Sequence, residues 1–212
     1  NSESVRTLTS SGMPSGSDAN GLPSCSTDGN TLAFSSYSKE PNINWGVGFI
    51  NLDDSSPRFG FLGSEGYALG GNVGWSPEDR AVVLMHNVRS EKNYDIYRID
   101  LDDPDDYTNL SGTYVGTNKY PDWSPDGRNV AFACGRTFGD DWRWSLCITP
   151  SDFSSVEVLL SEIHNSPERW EEKQMVRHAL TPNWSPDGKW LAFSSIMDGD
   201  FDIYIYSLVD DE

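Results

Sequence analysis

The amino-acid sequence predicts an all-β protein, a small β-propeller of four blades with four antiparallel strands in each. Three observations carry that prediction. A turn centred on tryptophan recurs roughly every 50 residues, the period of propeller blades. The runs that follow each turn alternate apolar with polar residues and are rich in β-branched and aromatic side chains, as half-buried strands are. Hydrophobic residues make up 36% of the 212, and 19 glycines bring the total to an ordinary globular level, so wholesale disorder is excluded.

The repeats fall at about 22–62, 72–111, 120–160 and 181–208, within a single domain over 1–212. Trp75, Trp123 and Trp184 hold the central position, and Cys25 takes it in the first copy. Ser-Pro-Asp-Gly or a variant of it follows: proline presets φ at the second turn position and glycine supplies the positive φ at the reversal. Gly29, Gly127 and Gly188 are therefore structural positions, and the tryptophans read as wedges packed between neighbouring blades. A second strand and a third come next in every copy, the third being 45–52, 94–101, 144–149 and 201–208. Short outer strands are expected at 58–62, 108–110 and 156–160.

The fourth copy has no outer strand of its own. Val5 to Thr9 reads as one, and would close the ring by pairing with 201–208, either in the same chain or, through a flexible Gly/Ser tether over 10–21, in a neighbour. Between the third and fourth copies, 161–180 begins with Ser166-Pro167-Glu168, a capping serine with proline at the first helical position. A short helix is expected there.

The pattern Trp-Ser-Pro-Asp-Gly…Ala-Phe-Ser-Ser…Asp-Ile-Tyr resembles the TolB-type WD-like repeat family, most closely at 123–132 and 184–204. The resemblance implies a propeller that usually has six or more blades. It also implies company with periplasmic translocation proteins, peptidase-associated propellers and extracellular proteins, a breadth that fixes fold more than function.

The chemistry is sparse. Fifteen basic residues against 33 acidic ones give a net charge of −18, which repels phosphate backbones and excludes nucleic acid as a natural partner. No apolar run is long enough to span a membrane. His86, His164 and His178 have no metal-ligand spacing, and neither a nucleophile elbow nor a phosphate-binding glycine loop occurs. No catalytic residue is assigned and no cofactor is expected. Calcium is the one ion the sequence would admit, at Asp198, Asp200 and Asp202, whose carboxylates alternate. The acidic runs after the third strands should gather on one face, where aspartate also favours turns.

Aromatic residues on the loops between second and third strands and between blades form the candidate ligand face: Tyr37, Trp45, Tyr67, Tyr114, Tyr120, Phe138, Trp142 and Trp170. About half of these should be packing residues. Asn109 lies in a glycosylation sequon. Cys134 and Cys147 sit on adjacent strands, and a disulfide there needs facing positions, so bonded cysteines and two buried thiols both remain open. A chain starting at Asn1 reads as a processed extracellular or periplasmic protein. The expected function is a non-catalytic binding or assembly module with a protein partner or self-association. A carbohydrate-binding lectin using the aromatic face is the alternative, and a polysaccharide hydrolase or lyase the third.

Overall fold

The computed structural model describes residues 17–38, 45–52, 69–90, 93–103, 107–112, 114, 116–138, 141–160, 181–195 and 202–209. These form four antiparallel sheets in chain order, each a simple meander. The first holds β1 (Ser17–Cys25), β2 (Thr31–Ser38) and β3 (Trp45–Asn51). The second holds β4 (Leu69–Trp75), β5 (Ala81–Ser90), β6 (Asn93–Asp100) and β7 (Tyr107–Asn109). The third holds β8 (Thr117–Trp123), β9 (Asn129–Phe138), β10 (Asp141–Pro150) and β11 (Glu157–Leu160). The fourth holds β12 (Asn183–Trp184), β13 (Trp190–Ser195) and β14 (Asp202–Ser207). No helix occurs among the described residues. The expected helix in 161–180, the outer strand at 58–62 and the closing strand at 5–9 lie outside them.

The first two strands of each sheet are joined by the recurring turn, and its side chains explain why those residue types are needed. Gly29, Gly127 and Gly188 have φ of 75°, 72° and 72°, and each amide donates back to the serine carbonyl three residues earlier at 2.9–3.0 Å. The serine hydroxyls of Ser26, Ser124 and Ser185 donate to Asp28, Asp126 and Asp187 at 2.6, 2.7 and 2.6 Å. They also accept the first N–H of the following strand, from Thr31, Asn129 and Trp190. The serine hydroxyl, with the backbone N–H two residues on, holds all three aspartates below the usual carboxylate range.

The second copy replaces glycine by Asp79 and the first replaces proline by Thr27. The structure makes these two departures one interaction. Asp79 adopts φ 53°, a left-handed conformation that aspartate tolerates better than most residues. Its carboxylate accepts the Thr27 N–H (2.8 Å), the Thr27 hydroxyl (2.7 Å) and the Asp28 N–H (2.9 Å). Proline at 27 would have no N–H to give. In later copies the same meeting is apolar: a Cβ on Gly127 would lie 3.6 Å from Pro77, and one on Gly188 3.5 Å from Pro125.

Strand alternation then sends each sheet's two faces to two neighbours. Val82, Leu84, Tyr97 and Ile99 pack with Trp75 against Ala33 and Val47 of the first sheet. Ala81, Val83 and Ile96 pack on the opposite side against Trp123, Val130 and Phe132 of the third. Ala131, Ala133, Trp144 and Leu146 face Leu191 and Phe193 of the fourth, with Trp184, Tyr204 and Tyr206 at the margin. Each large side chain so buried contributes roughly 1.5–3 kcal/mol.

Three junctions thus serve four sheets, and the described residues hold no core between the fourth sheet and the first. The closed ring expected from the sequence is not what they show, because the far face of the fourth sheet carries exposed Trp190, Ile203 and Ile205. One expectation is corrected at the start of the chain. Residues 17–21 are strand rather than tether, with Ala19 opposite Tyr37 and Asn20 opposite Ser36; the β2 backbone needs an edge partner whatever side chains supply it.

Cys134 and Cys147 are joined in a disulfide with Cα atoms 5.9 Å apart. They do not face each other. Cys134 stands opposite Ser145 and Cys147 opposite Phe132, so the bond crosses a diagonal that lies within disulfide reach. Both sulfurs are fully buried at the second junction, and Cys25 remains a free, exposed cysteine.

Two outcomes follow from these contacts. The unfolded, unreduced chain should expose one titratable thiol and the reduced chain three, and Cys134→Ala with Cys147→Ala should lower stability by about 3 kcal/mol. Asp79→Gly and Thr27→Pro should each cost about 1 kcal/mol singly. Combined, they should recover most of the loss by recreating the Pro–Gly meeting; additive losses in urea denaturation would contradict the pairing.

Candidate functional site

The inner strands are not regular to their ends. β1, β4 and β8 each shift register near the C-terminus, between Gly21 and Ser24, Gly70 and Gly74, and Lys119 and Asp122. Leu22 and Tyr120 occupy equivalent bulge positions with φ of 51° and 56°, and each is followed by a proline that cannot donate to the ladder. The bulge turns the last residues of each inner strand inward. As a result Ser24-Cys25, Gly74-Trp75, Asp122-Trp123 and Asn183-Trp184 line one cleft of about 410 Å³, together with Thr27, Pro77, Pro125 and Pro186 of the turns. Each repeat contributes the same positions.

The indoles anchor the cleft wall. Trp75 donates its Nε1–H to the Ser24 carbonyl at 3.1 Å and Trp184 to the Asp122 carbonyl at 3.1 Å, each bond linking one sheet to the one before it. Trp123 instead donates to Gly127 in its own turn at 3.2 Å. Among the described residues Asp122 is the one carboxylate in the cleft lining. Its Oδ2 accepts the Trp184 backbone N–H at 2.8 Å. Burial pushes its pKa up to about 6, against the lowering effect of the Trp184 and Trp123 amides. The group is therefore largely ionised at neutral pH and protonates in mild acid.

The cleft opens at the end of the sheets that carries the turns. Arg80 of the second turn pairs with Asp102 beyond the third strand at 2.7 Å, which puts Asp102 at the same end. The hairpins between second and third strands lie at the opposite end, where the expected aromatic face belongs. There the backbone register sets Tyr37 opposite Trp45, Phe138 opposite Asp141 and Trp142 opposite Thr137. Tyr114 is half-buried against the second junction with the Arg136 guanidinium 5.7 Å from its ring centre, and Tyr120 packs at the third junction, so both are packing residues. Tyr67 and Trp170 lie outside the described residues.

The remaining sequence candidates are scattered. Asp202 is exposed on β14 opposite Ser195, while Asp198 and Asp200 lie outside the described residues. Among the described residues no group of three or more His, Cys, Asp or Glu side chains converges on a metal-sized site. His86 is buried edge-on against Tyr97, with ring centres 5.5 Å apart. Asn109 belongs to a polar network: its Nδ2 donates to Asp95 at 3.0 Å and to the Tyr97 hydroxyl at 3.2 Å, and its Oδ1 accepts the Ser111 N–H. Asn118 of β8 donates to the same Asp95, which ties the second sheet to the third. The nitrogen that a glycan would need is engaged in that network.

Sequence reasoning overlooked the cleft. Its signal was present: the residue before each tryptophan position, and the proline preceding it in three of the four copies.

No family model matches the chain, and no curated protein does. Solved structures do. TolB from Acinetobacter baumannii superposes with a TM-score of 0.63 at 18% identity, over 91% of this chain and 41% of that one. An oligogalacturonate lyase in complex with manganese gives 0.61 at 17%, over 91% and 49%. The β-propeller domain of the Trilobed protease from Pyrococcus furiosus gives 0.54 at 15%, over 89% and 54%. The chain thus has the fold of TolB-like propellers and spans about half the length of the solved structures it resembles. Among the described residues no helix is long and apolar enough to cross a membrane.

Asp122 predicts an unusual pH response. Its folded pKa stands above the unfolded value near 3.8, so the folded state holds the proton more tightly. Stability should fall, by about 2 kcal/mol, as pH rises from roughly 4 through 6. Asp28, Asp126 and Asp187 act with the opposite sign: their contribution is present above the unfolded value and is lost as pH falls through their depressed folded values. Thermal melts should therefore peak near pH 4–5, and Asp122→Asn should flatten the slope above pH 5. An unchanged slope in that variant would contradict the assignment.

Proposed function

We propose that the chain is a non-catalytic binding and assembly module whose turn-end cleft receives a basic peptide segment of a protein partner. The observation that carries this reading is the convergence of four equivalent strand ends on one cleft with a single carboxylate. The lining offers indole and proline surfaces, backbone groups and Asp122, which suits an extended peptide with a cationic side chain. Among the described residues its lining holds no second carboxylate beside Asp122. The net charge of −18 favours encounter with a positively charged partner. The buried Cys134–Cys147 disulfide supports an oxidising location, extracellular or periplasmic.

One observation favours a second reading. The register places Tyr37 directly across from Trp45 at the hairpin end, a pairing of aromatic positions that a sugar-binding face could use. The polysaccharide lyase or hydrolase reading has in its favour only the shared fold of a lyase, and fold does not carry chemistry.

Peptide and glycan arrays, run beside a turnover screen on polysaccharides, separate the three. Capture of basic peptides, weakened at least tenfold by Asn183→Arg at the cleft and strengthened at low salt, is the expected result. Glycan binding lost in Trp45→Ala or Trp142→Ala would establish the lectin instead. Polysaccharide cleavage abolished by changing one carboxylate would establish the enzyme.

A further inference from the structure

The second and third sheets each end in a short outer strand, and both put a leucine at the same place. Leu110, just after β7, donates its N–H to the Ile96 carbonyl at 2.7 Å. Leu160 of β11 stands opposite Leu146. Ile96 and Leu146 are equivalent, opposite Met85 and Ala133 of the strands before them, and both are fully buried. One residue beyond Leu110, the Ser111 hydroxyl accepts the Ile96 N–H at 2.8 Å. One residue before it, Asn109 donates to Asp95 at 3.0 Å and to the Tyr97 hydroxyl at 3.2 Å. The triplet Asn-Leu-Ser therefore closes the edge of β6 with backbone bonds, an apolar cover and an amide on the flanking carboxylate.

β14 repeats the receiving half of that arrangement. Ile203 stands opposite Ser194 in the place of Ile96, and Asp202 and Tyr204 flank it as Asp95 and Tyr97 flank Ile96. Leu208 donates its N–H to the Lys189 carbonyl. Alternation then turns the backbone groups of Tyr204 and Tyr206 towards β13, and those of Ile203 and Ile205 towards the other edge. Among the described residues β14 is the outer strand of its sheet. Ile203 is 76% exposed and Ile205 on the same face 68%. An open row of backbone groups beside exposed apolar side chains is a template for strand addition.

We propose that β14 is a docking edge for an extended strand of a partner protein, and that it selects the triplet Asn-Leu-Ser or its threonine equivalent. The occupant follows from the β6–β7 edge, whose receiving residues β14 repeats. The partner's leucine donates its N–H to the Ile203 carbonyl and lays its side chain over Ile203. The hydroxyl of the next residue accepts the Ile203 N–H, and the asparagine amide donates to Asp202. The added strand runs antiparallel to β14, as β7 does to β6. This contact lies at the outer edge of the fourth sheet, whereas the turn-end cleft takes Asn183 and Trp184 from β12 at the inner edge. It is a second surface, and it holds whether or not the cleft receives basic peptides.

A synthetic peptide with the sequence of residues 107–112, Tyr-Thr-Asn-Leu-Ser-Gly, titrated into the isotopically labelled chain and followed by amide NMR, tests it. The Ile203 and Ile205 amides should shift saturably, and their hydrogen exchange should slow by about tenfold at saturation. N-methylating the peptide leucine removes its N–H donor and should weaken binding by about fivefold or more. Ile205→Pro removes an outward N–H without touching the β13 ladder and should weaken binding likewise. If circular dichroism shows that variant misfolded, the N-methyl peptide makes the same test on the unchanged protein. Absence of saturable shifts overturns the proposal, as does equal binding of the N-methyl peptide. Shifts confined to Asp122, Asn183 and Trp184 overturn it by placing the peptide in the cleft. Slow exchange of Ile203 and Ile205 in the dilute chain alone would put its own Val5 to Thr9 on the edge, and slowing with protein concentration would put a second copy there; either result overturns it. Capture of basic peptides alongside any of these failures would remove the strand site and leave the proposed function standing.

Discussion

A twisted sheet with two apolar faces cannot bury both by itself, and everything else in this structure answers that constraint. Val82 and Leu84 point one way from β5 and Ala81 and Val83 the other. The second sheet therefore needs a neighbour on each side, and so does the third. Stability in such an array is a sum over sheets and the junctions between them. Among the described residues the second and third sheets have two junctions each and the fourth sheet one.

The recurring turn makes the junctions repeatable. Its serine, aspartate and glycine satisfy their own backbone and side-chain groups locally, so the turn keeps its shape whichever sheet it joins. What varies is the surface it shows to its neighbour. Pro77 meeting Gly127 and Pro125 meeting Gly188 are apolar contacts. Thr27 and Asp79 replace that contact with hydrogen bonds at the first junction. The bulges of β1, β4 and β8 add the functional consequence. They end the regular edge of three sheets, and with Asn183 and Trp184 of the fourth their last residues surround a common space, placing Asp122 where water is scarce enough to raise its pKa.

The period of the tryptophans, the strand alternation and the glycine positions made the four sheets legible in the sequence, because each rests on local backbone chemistry. The cleft was less legible. Its walls are residues such as Ser24, Gly74 and Asn183, which look unremarkable one at a time and matter only through the register shifts that bring them together. The Thr27–Asp79 pair was visible only as two departures from a pattern, since a contact between residues 52 positions apart has no local signature. The Cys134–Cys147 pairing stayed open for a related reason: a diagonal pair can lie within disulfide reach, and that cannot be read from spacing. Asn109 shows the reverse case, a motif legible as a modification signal whose amide nitrogen the fold uses for a network with Asp95 and Tyr97.

The central claim is that the array is a one-dimensional stack with an uncovered end at the fourth sheet. Native-state hydrogen exchange, read strand by strand, tests it most directly. The account predicts the slowest exchange in β5, β6, β9 and β10 of the doubly covered sheets, intermediate exchange in β2 and β3, and the fastest in β14 at low protein concentration. Protection of β14 equal to that of β10 in a dilute monomer would mean that the far face is covered within one chain, and would contradict it.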